Sequence, residues 1–177
     1  MDRRRVFAGM LVAATALGTQ LGTGSTAQAA TVTTLYYSSS GAPDYVAQID
    51  QAAANWNHAV TDVRLVRGSG ATIVFYETND GQGSYTTTDG HGNGQIYLDQ
   101  QQVAEGYSVT RIAAHELGHD LGLADDYSGP CSELMSGHGP GTSCTNAVPD
   151  AQEAAQVQQN FAAGFAAVSP ALMRLMR

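Results

Sequence analysis

The sequence predicts an α+β domain of three helices and about five short strands. Short β-branched and aromatic runs, bounded by turn residues such as Gly, Pro, Asn and Asp, recur along the chain and are typical of strands. Three longer segments place apolar residues three and four positions apart, which is the spacing of one helix face. After residue 30 the sequence has no internal repeat and no linker, so these elements are expected to form one unit.

The expected strands are residues 31–37, 63–66, 71–77, 84–87 and 95–99. Turn residues from Ser38 onwards are expected to end the first of them. The second and third strands flank a Gly-Ser-Gly turn at residues 68–70 and are expected to be neighbours in the sheet. Residues 84–87 stand alone within a stretch rich in Gly, Asp and Asn, which predicts an edge strand.

Three segments are expected to be helical. Residues 44–60 have an apolar face at helical spacing, which predicts a helix that backs the core. Ser108 is a suitable N-cap for a second helix, whose apolar positions continue to Leu117. Residues 151–161, rich in Ala and Gln, predict the third helix.

The first 30 of the 177 residues have the features of a secretory signal. Three arginines at residues 3–5 precede an apolar stretch at residues 6–18, and Ala-Gln-Ala at residues 27–29 is a small-x-small cleavage site. We expect a signal at 1–30, a folded domain at 31–161 and an extension of unknown role at 162–177. The twin-arginine route and the general secretory route both remain open.

The charge balance excludes some partners. Residues 31–177 hold 5 Arg, no Lys and 15 Asp or Glu, which gives a formal charge of −10. Such a surface repels phosphate backbones and anionic headgroups, so neither nucleic acid nor a membrane is an expected partner of the mature chain. The sequence also lacks the apolar run of about 18 residues that a membrane-spanning helix needs.

Two cysteines, Cys131 and Cys144, follow the expected signal and would enter an oxidising compartment. A disulfide is the default expectation there. It would close a loop of roughly 14 residues around a glycine-rich segment and stabilise the fold by about 3 kcal/mol on the chain-entropy model.

The residues with the clearest chemical meaning are the HELGH pentapeptide at residues 115–119, within the second helix. His115 and His119 are four residues apart, so their imidazoles share a helix face and can bind one zinc ion. Glu116 lies about a quarter-turn round the helix. The spacing therefore predicts a carboxylate beside a metal ion without making it a ligand.

A third ligand is expected shortly after the helix. Gly122 permits a tight turn that could bring Asp125 back under the two histidines, which completes the pattern HExxHxxGxxD. Asp126 competes with Asp125 for this position. The remaining histidines are expected to be surface or turn residues rather than ligands: His58, His91 and His138.

This pattern, together with Leu-Met-Ser at residues 134–136, resembles the metzincin zinc endopeptidases, in which a methionine-bearing turn follows the metal-binding helix. An aspartate as third ligand, with residues 131–137 and 143–146, is similar to the snapalysin family of small neutral proteases secreted by Streptomyces. The resemblance runs from residue 31 to about 161. It implies a small twisted mixed sheet and a helix carrying HExxH followed by the methionine turn.

The resemblance also implies a mechanism. Zinc held by His115, His119 and Asp125 would polarise the scissile carbonyl and acidify a water molecule. Glu116 would be the general base that takes the water's proton and then gives it to the leaving amine.

Two further residues acquire expected roles from the family. Met135 would form an apolar floor beneath the histidines. Tyr127 would lie near the metal, where its hydroxyl could bond the oxyanion, although an ordinary packed tyrosine is an open alternative.

The sequence therefore predicts a secreted, monomeric zinc metalloendopeptidase that acts on polypeptides. Substrate would lie extended along residues 84–87, and the family implies Tyr or Phe on the amine side of the scissile bond. The alternatives are a non-catalytic secreted zinc-binding module and a zinc hydrolase of cell-wall peptide.

A calcium site is doubtful. The family's site uses Asp and Thr side chains just before the metal-binding helix, and the corresponding residues here are Ser108 and Thr110. Loss of a carboxylate from a small oxygen cage should weaken calcium binding greatly.

Overall fold

The computed structural model describes residues 32–162, so the expected signal and most of the expected extension lie outside the described residues. It contains one five-stranded sheet with the strand order β2-β1-β3-β5-β4. The strands are β1 (Thr33–Gly41), β2 (Val63–Arg67), β3 (Ile73–Thr78), β4 (Tyr85–Thr88) and β5 (Gly94–Asp99).

Four α-helices accompany the sheet in this part of the chain: α1 (Val46–Ala59), α2 (Gln100–Ala104), α3 (Val109–Asp120) and α4 (Ala151–Ala162). Short 3-10 turns are formed by Pro43–Tyr45 and Leu134–Ser136. The α+β class and the three expected helices are confirmed. The short helix α2 was not expected, and the Asp99 side chain caps it by accepting from the Gln101 amide. Between residues 32 and 162 no helix has the length and apolar character to cross a bilayer.

The sheet is mixed. β1, β2, β3 and β5 pair in parallel, whereas β4 pairs antiparallel with β5 at one edge. The expectation of an edge strand near residues 84–87 is confirmed. One strand edge of the sheet is therefore open next to α3, with which β4 is in contact.

The expectation that β2 and β3 are neighbours is wrong, because β1 lies between them. β2 pairs with β1 from Thr33 to Tyr37, and β3 pairs with it from Tyr37 onwards, on the opposite side. Both pairings are parallel to β1, so residues 68–72 carry the chain across β1 without reversing its direction. The glycine turn is consequently a crossing and not a hairpin.

The first strand also continues past the expected turn. Ser38 pairs with Val74, and Gly41 pairs with Tyr76 after an irregularity in the register. The serines remain in extended conformation because β3 is available to pair with them. The turn begins instead at Ala42, whose amide bonds the Ser39 carbonyl at 3.0 Å.

Helix α1 supports α3 from behind, as expected for the backing helix. Trp56 is fully buried, and its indole Nε1 donates to the Ala114 carbonyl in α3 at 2.8 Å. Burial of this large side chain contributes on the order of 2–3 kcal/mol. The position of α3 is thus fixed by the core of the protein.

The expected disulfide between Cys131 and Cys144 is confirmed. The loop that it closes contains the 3-10 turn Leu134–Ser136, in which Met135 is buried. The disulfide therefore restrains the segment that follows the HELGH helix.

Removal of the disulfide should destabilise the protein. The pair Cys131→Ser and Cys144→Ser is expected to lower the free energy of unfolding by about 3 kcal/mol, since the unfolded chain regains the entropy of an open loop. Denaturant unfolding with and without a reductant measures this. The reductant should lower the midpoint of the wild type and leave that of the variant unchanged. Equal midpoints for wild type and variant in the absence of reductant would contradict the expectation.

Candidate active site

Helix α3 presents the HELGH residues from a buried position. Its N-terminus is capped by Ser108, whose hydroxyl accepts from the Arg111 amide at 3.4 Å. His115 and Glu116 are only 6% and 4% exposed. Because this helix packs on α1 and on the sheet edge, its polar side chains have little freedom to move.

The chain reverses immediately after α3 at Gly122, which has a φ of +87°. The Gly122 amide donates to His119 O at 2.9 Å, and the Leu123 amide donates to Gly118 O at 2.9 Å. This is the Schellman pattern of helix termination, which favours glycine at the left-handed position. The turn directs the following residues back beneath the helix, as the sequence predicted.

Asp125 meets the two histidines as a result. Its Oδ1 lies 3.1 Å from His115 Nε2 and 3.4 Å from His119 Nε2, and the two Nε2 atoms are 3.2 Å apart. Three donors that bind one tetrahedral zinc ion at about 2.0–2.1 Å are separated by about 3.3 Å. The three side chains therefore have the spacing expected of three donors to one tetrahedral metal ion.

Both imidazoles are oriented by backbone carbonyls. His115 Nδ1 lies 3.1 Å from Leu134 O, and His119 Nδ1 lies 2.9 Å from Leu123 O. A carbonyl oxygen can only accept, so each Nδ1 is the donor. This leaves each Nε2 directed at Asp125, the arrangement that metal-ligating histidines show.

The three side chains of the triad shift one another's pKa values. Burial acts to raise the pKa of Asp125, but hydrogen bonds from His115 and His119 hold it well below its usual range. Burial acts to lower the pKa of His119, but its bond to Asp125 and the charge of Glu116 raise it to about 9. A divalent cation bound between these atoms would displace the imidazole proton, so metal binding should release protons.

Asp126 does not join the triad. Its Oδ1 accepts from the Ser128 hydroxyl at 2.6 Å, and its side chain is exposed. The Asp126 amide donates to Met135 O at 2.8 Å, which ties this segment to the methionine turn. The geometry accordingly favours Asp125 over Asp126 as the third ligand.

Glu116 is held by an edge-strand residue that the sequence analysis did not single out. The Thr86 hydroxyl in β4 donates to Glu116 Oε2 at 2.7 Å. Tyr85 and Thr87 face solvent, whereas Thr86 faces α3. The period of two along the strand is the signal that could have identified Thr86.

Tyr127 lies at the rim of the site, with 51% of its surface exposed. Its ring packs against His138 with a centroid distance of 4.7 Å. Burial, then the interaction with Asp125 and the charge of Glu116, raises the pKa of Tyr127 to about 12. Its hydroxyl therefore keeps its proton at neutral pH and can act as a hydrogen-bond donor.

Met135 packs against α3 at Gly118. A Cβ added to Gly118 would lie 2.5 Å from Met135 Sδ and 3.3 Å from the Trp56 ring. The absence of a side chain at Gly118 thus allows the methionine to approach the helix between the two histidine turns. A larger residue at this position would push Met135 away.

The other histidines lie apart from the triad. His58 and His138 are exposed, and His91 packs against Phe161 with a centroid distance of 5.8 Å. Asp120, which the sequence analysis did not single out, is fully buried without a hydrogen-bond partner for either carboxylate oxygen among the described residues. Burial raises the pKa of Asp120 to about 7.

A cleft opens from the triad along α3 and the methionine turn. Its walls include Ser84, just before β4, Ile112 of α3 and Gly137 of the turn. Its lining combines apolar, aromatic and polar groups: Ser84, Gln102, Tyr107, Ser108, Arg111, Ile112, His115, Glu116, Tyr127, Gly137 and His138. Such a mixed lining is typical of a cleft that orients an organic ligand.

The protein is thus an α+β domain in which α3 and the turn after it present three side chains that could bind one metal ion. A family model described as "Streptomyces extracellular neutral proteinase (M7) family" matches residues 31–164. The chain belongs to this family, which confirms the resemblance to snapalysins.

Two relatives illustrate the similarity. The chain is 54% identical over 140 residues to an "Extracellular small neutral protease" of Streptomyces lividans, covering 78% of this chain and 61% of that protein. It is 53% identical over 131 residues to a protein of the same name from Streptomyces caespitosus, covering 74% and 98% respectively. The match thus spans less than two thirds of the S. lividans relative and nearly all of the S. caespitosus one.

Solved structures are more distant. The archaemetzincin of Methanopyrus kandleri aligns with a TM-score of 0.47 and 11% identity, over 75% of this chain and 97% of that one. The hatching enzyme HCE-1, a zinc protease of Oryzias latipes, aligns with a TM-score of 0.38 and 22% identity, over 53% and 46%.

A side chain at Gly137 should disturb the site directly. Its φ is +55°, and an added Cβ would lie 3.0 Å from the Tyr127 ring and 3.1 Å from the His115 ring. Gly137→Ala is expected to cost about 1–3 kcal/mol for a backbone that residues with a Cβ rarely adopt, with φ +55° and ψ −124°, and about 1–3 kcal/mol more for crowding. Thermal unfolding measures the total loss.

Gly141→Ala is the matched control, because Gly141 also has a positive φ, +81°, but has no atom within 4 Å of an added Cβ. Only the backbone cost is expected there. If both variants lost the same stability, close packing of Gly137 between the two rings would be refuted.

Proposed function

We propose that the chain is a secreted zinc metalloendopeptidase that hydrolyses peptide bonds of proteins. The observation that carries this proposal is the separation of 3.1–3.4 Å among His115 Nε2, His119 Nε2 and Asp125 Oδ1. That separation fits one tetrahedral zinc ion, with Glu116 beside it and a fourth position free. Its relatives are named extracellular small neutral proteases, in agreement with secretion and with a protease activity.

Zinc would be held by His115, His119 and Asp125. When bound, zinc supplies Lewis acidity, which polarises a peptide carbonyl and lowers the pKa of a water molecule. The carbonyl partners of both Nδ1 atoms support this role, since they keep the imidazoles in the orientation and tautomer that a ligand needs.

Glu116 would be the general base. Its Oε2 accepts from Thr86, which leaves Oε1 to take a proton from water and to deliver it to the leaving amine. Thr86 fixes the rotamer of this carboxylate and does not itself exchange a proton with substrate.

Tyr127 would donate a hydrogen bond to the oxygen that becomes negatively charged in the transition state. Its elevated pKa keeps the phenol protonated, and its contact with His138 places the ring at the rim of the cleft. The alternative, a tyrosine that merely packs, is less well supported because half of its surface is exposed.

Polypeptide substrate would add to the free edge of β4 in extended form. The outer side of β4 is unpaired in the described sheet, and main-chain hydrogen bonds to it would be independent of the substrate's sequence. The cleft lined by Tyr107, Ile112 and Gly137 would take the side chain on the amine side of the scissile bond. Tyr or Phe there, as the family implies, would suit the apolar and aromatic part of this lining.

A non-catalytic zinc-binding module is not favoured, because structural zinc sites fill all four positions with protein ligands. A calcium site is not proposed near Ser108, because its hydroxyl already caps α3 and a hydroxyl is a weaker calcium ligand than a carboxylate.

Glu116→Gln should abolish proteolysis while preserving the fold and zinc content. The amide keeps the size of the side chain but cannot accept the water's proton, so the rate should fall by about 10²- to 10⁴-fold. Casein hydrolysis and elemental analysis of residues 31–177 measure the two properties. Glu77→Gln is the control, since Glu77 bonds the Asp44 amide and Gln100 away from the triad. Wild-type rates in Glu116→Gln would rule it out as the base.

Asp125→Ala and Asp126→Ala should separate the two candidate third ligands. Asp125→Ala is expected to lose stoichiometric zinc, because two imidazoles alone bind the ion weakly. Asp126→Ala should keep it, since that side chain bonds only Ser128. Zinc content after dialysis against a mild chelator measures both. The reverse result would make Asp126 the ligand.

A further inference from the structure

We infer that Arg111 and Glu153 are positioning residues that hold the methionine turn, residues 133–137, from opposite sides, and that Glu153 acts through this turn on His115. The inference rests on the proposed zinc site. Neither residue belongs to the triad. Their role would be to fix the orientation of His115 and to strengthen it as a ligand.

Arg111 binds the carbonyl side of the turn. Its guanidinium is 4% exposed and donates from Nε to Gly137 O at 3.2 Å and from Nη2 to Glu133 O at 3.1 Å. Nη2 also donates to Ser136 Oγ at 2.8 Å, and Nη1 donates to Asn146 O at 2.6 Å. Arg111 precedes His115 by four residues on α3. It therefore links this helix to both ends of the methionine turn.

Glu153 binds the amide side of the same turn. From the first turn of α4, its Oε1 accepts from the Met135 amide at 2.7 Å and its Oε2 accepts from the Leu134 amide at 3.1 Å. Oε2 also accepts from the Asp150 amide at 2.6 Å. A cation thus lies at the carbonyls and an anion at the amides, which is the favourable arrangement for the peptide dipoles.

One peptide group connects Glu153 to His115. The unit between Leu134 and Met135 donates its N–H to Glu153 Oε1 at 2.7 Å and accepts at its carbonyl from His115 Nδ1 at 3.1 Å. A carboxylate bonded to the N–H polarises the peptide and makes its carbonyl a stronger acceptor. A stronger acceptor for the Nδ1 proton raises the electron density at Nε2 of the same ring. Nε2 of His115 is then a more basic ligand.

His119 provides an internal comparison. Its Nδ1 donates to Leu123 O at 2.9 Å, but among residues 32–162 no carboxylate accepts from the amide of the same peptide, that of Ala124. Removal of the Glu153 charge should therefore act on His115 and spare His119. General loosening of the fold would instead affect both histidines together.

The experiment uses zinc-loaded protein, residues 31–177, with ¹⁵N-labelled histidine, and compares Glu153→Gln with the wild type. The variant has one acceptor oxygen and no charge, so it cannot serve all three amides. We expect the Nδ1–H resonance of His115 to shift upfield and exchange faster while that of His119 stays in place. Zinc affinity, from competition with a chelator, should fall by about 10- to 100-fold.

Glu77→Gln is the matched control, because Glu77 also accepts two hydrogen bonds but is remote from the turn. It should change neither resonance nor the zinc affinity. Arg111→Lys, with Arg67→Lys as its control, provides a second test of the same prediction, since lysine cannot reach four acceptors. Arg67 only pairs with Asp50 at the surface.

An unchanged His115 resonance and unchanged zinc affinity in folded Glu153→Gln or Arg111→Lys would overturn the inference. Equal shifts of His115 and His119 would also overturn it, since they would indicate general loosening. A wild-type protein that binds no zinc at all would instead refute the proposed function, so the two failures are distinguishable.

Discussion

The chain reversal after α3 is the constraint on which the site depends. Two histidines lie on one helix face, and the third donor must come from outside the helix. Gly122 adopts a left-handed conformation, and this turn brings Asp125 beside the histidines three residues later. A Cβ at Gly122 would meet Asn160 and the Gly90 carbonyl at 2.7 and 2.9 Å, so neighbouring segments pack directly on this turn. The carbonyl of Leu123 then orients His119. One backbone conformation therefore places Asp125 beside the two histidines and aligns the ring of one of them.

The rest of the fold fixes the position of the methionine turn relative to α3. Trp56 ties α3 to the backing helix, the disulfide closes the loop that contains the turn, and Gly118 lets Met135 approach from below. These contacts involve apolar packing and covalent restraint, whereas the bonds of Arg111 and Glu153 are polar and directional. Both kinds are needed, since packing sets distances and hydrogen bonds set the orientation of a ring.

Local spacing predicted the parts of the site that lie close together in sequence. The HELGH pair and Gly122 lie within one helix and its terminating turn, so helical geometry was sufficient to group them. The choice of Asp125 over Asp126 rested instead on the resemblance to a family. The contacts of Thr86 with Glu116 and of Glu153 with Met135 join residues 30 and 18 positions apart. The period of two along β4 could indicate which face Thr86 lies on, but no local pattern indicates the partner of either residue. For the same reason the sheet order could not be read from the sequence: a short glycine turn suits a hairpin as well as a crossing.

On the proposed function, the outer edge of β4 would limit which proteins the chain can cleave. A peptide that must lie extended beside a strand cannot enter while it is part of a helix or an internal strand, because its own amides are already bonded. Susceptibility of a folded protein would then be governed by how often a segment opens, and not by its composition alone. Stably folded neighbours in the same medium would be spared, and partly unfolded ones would be consumed first.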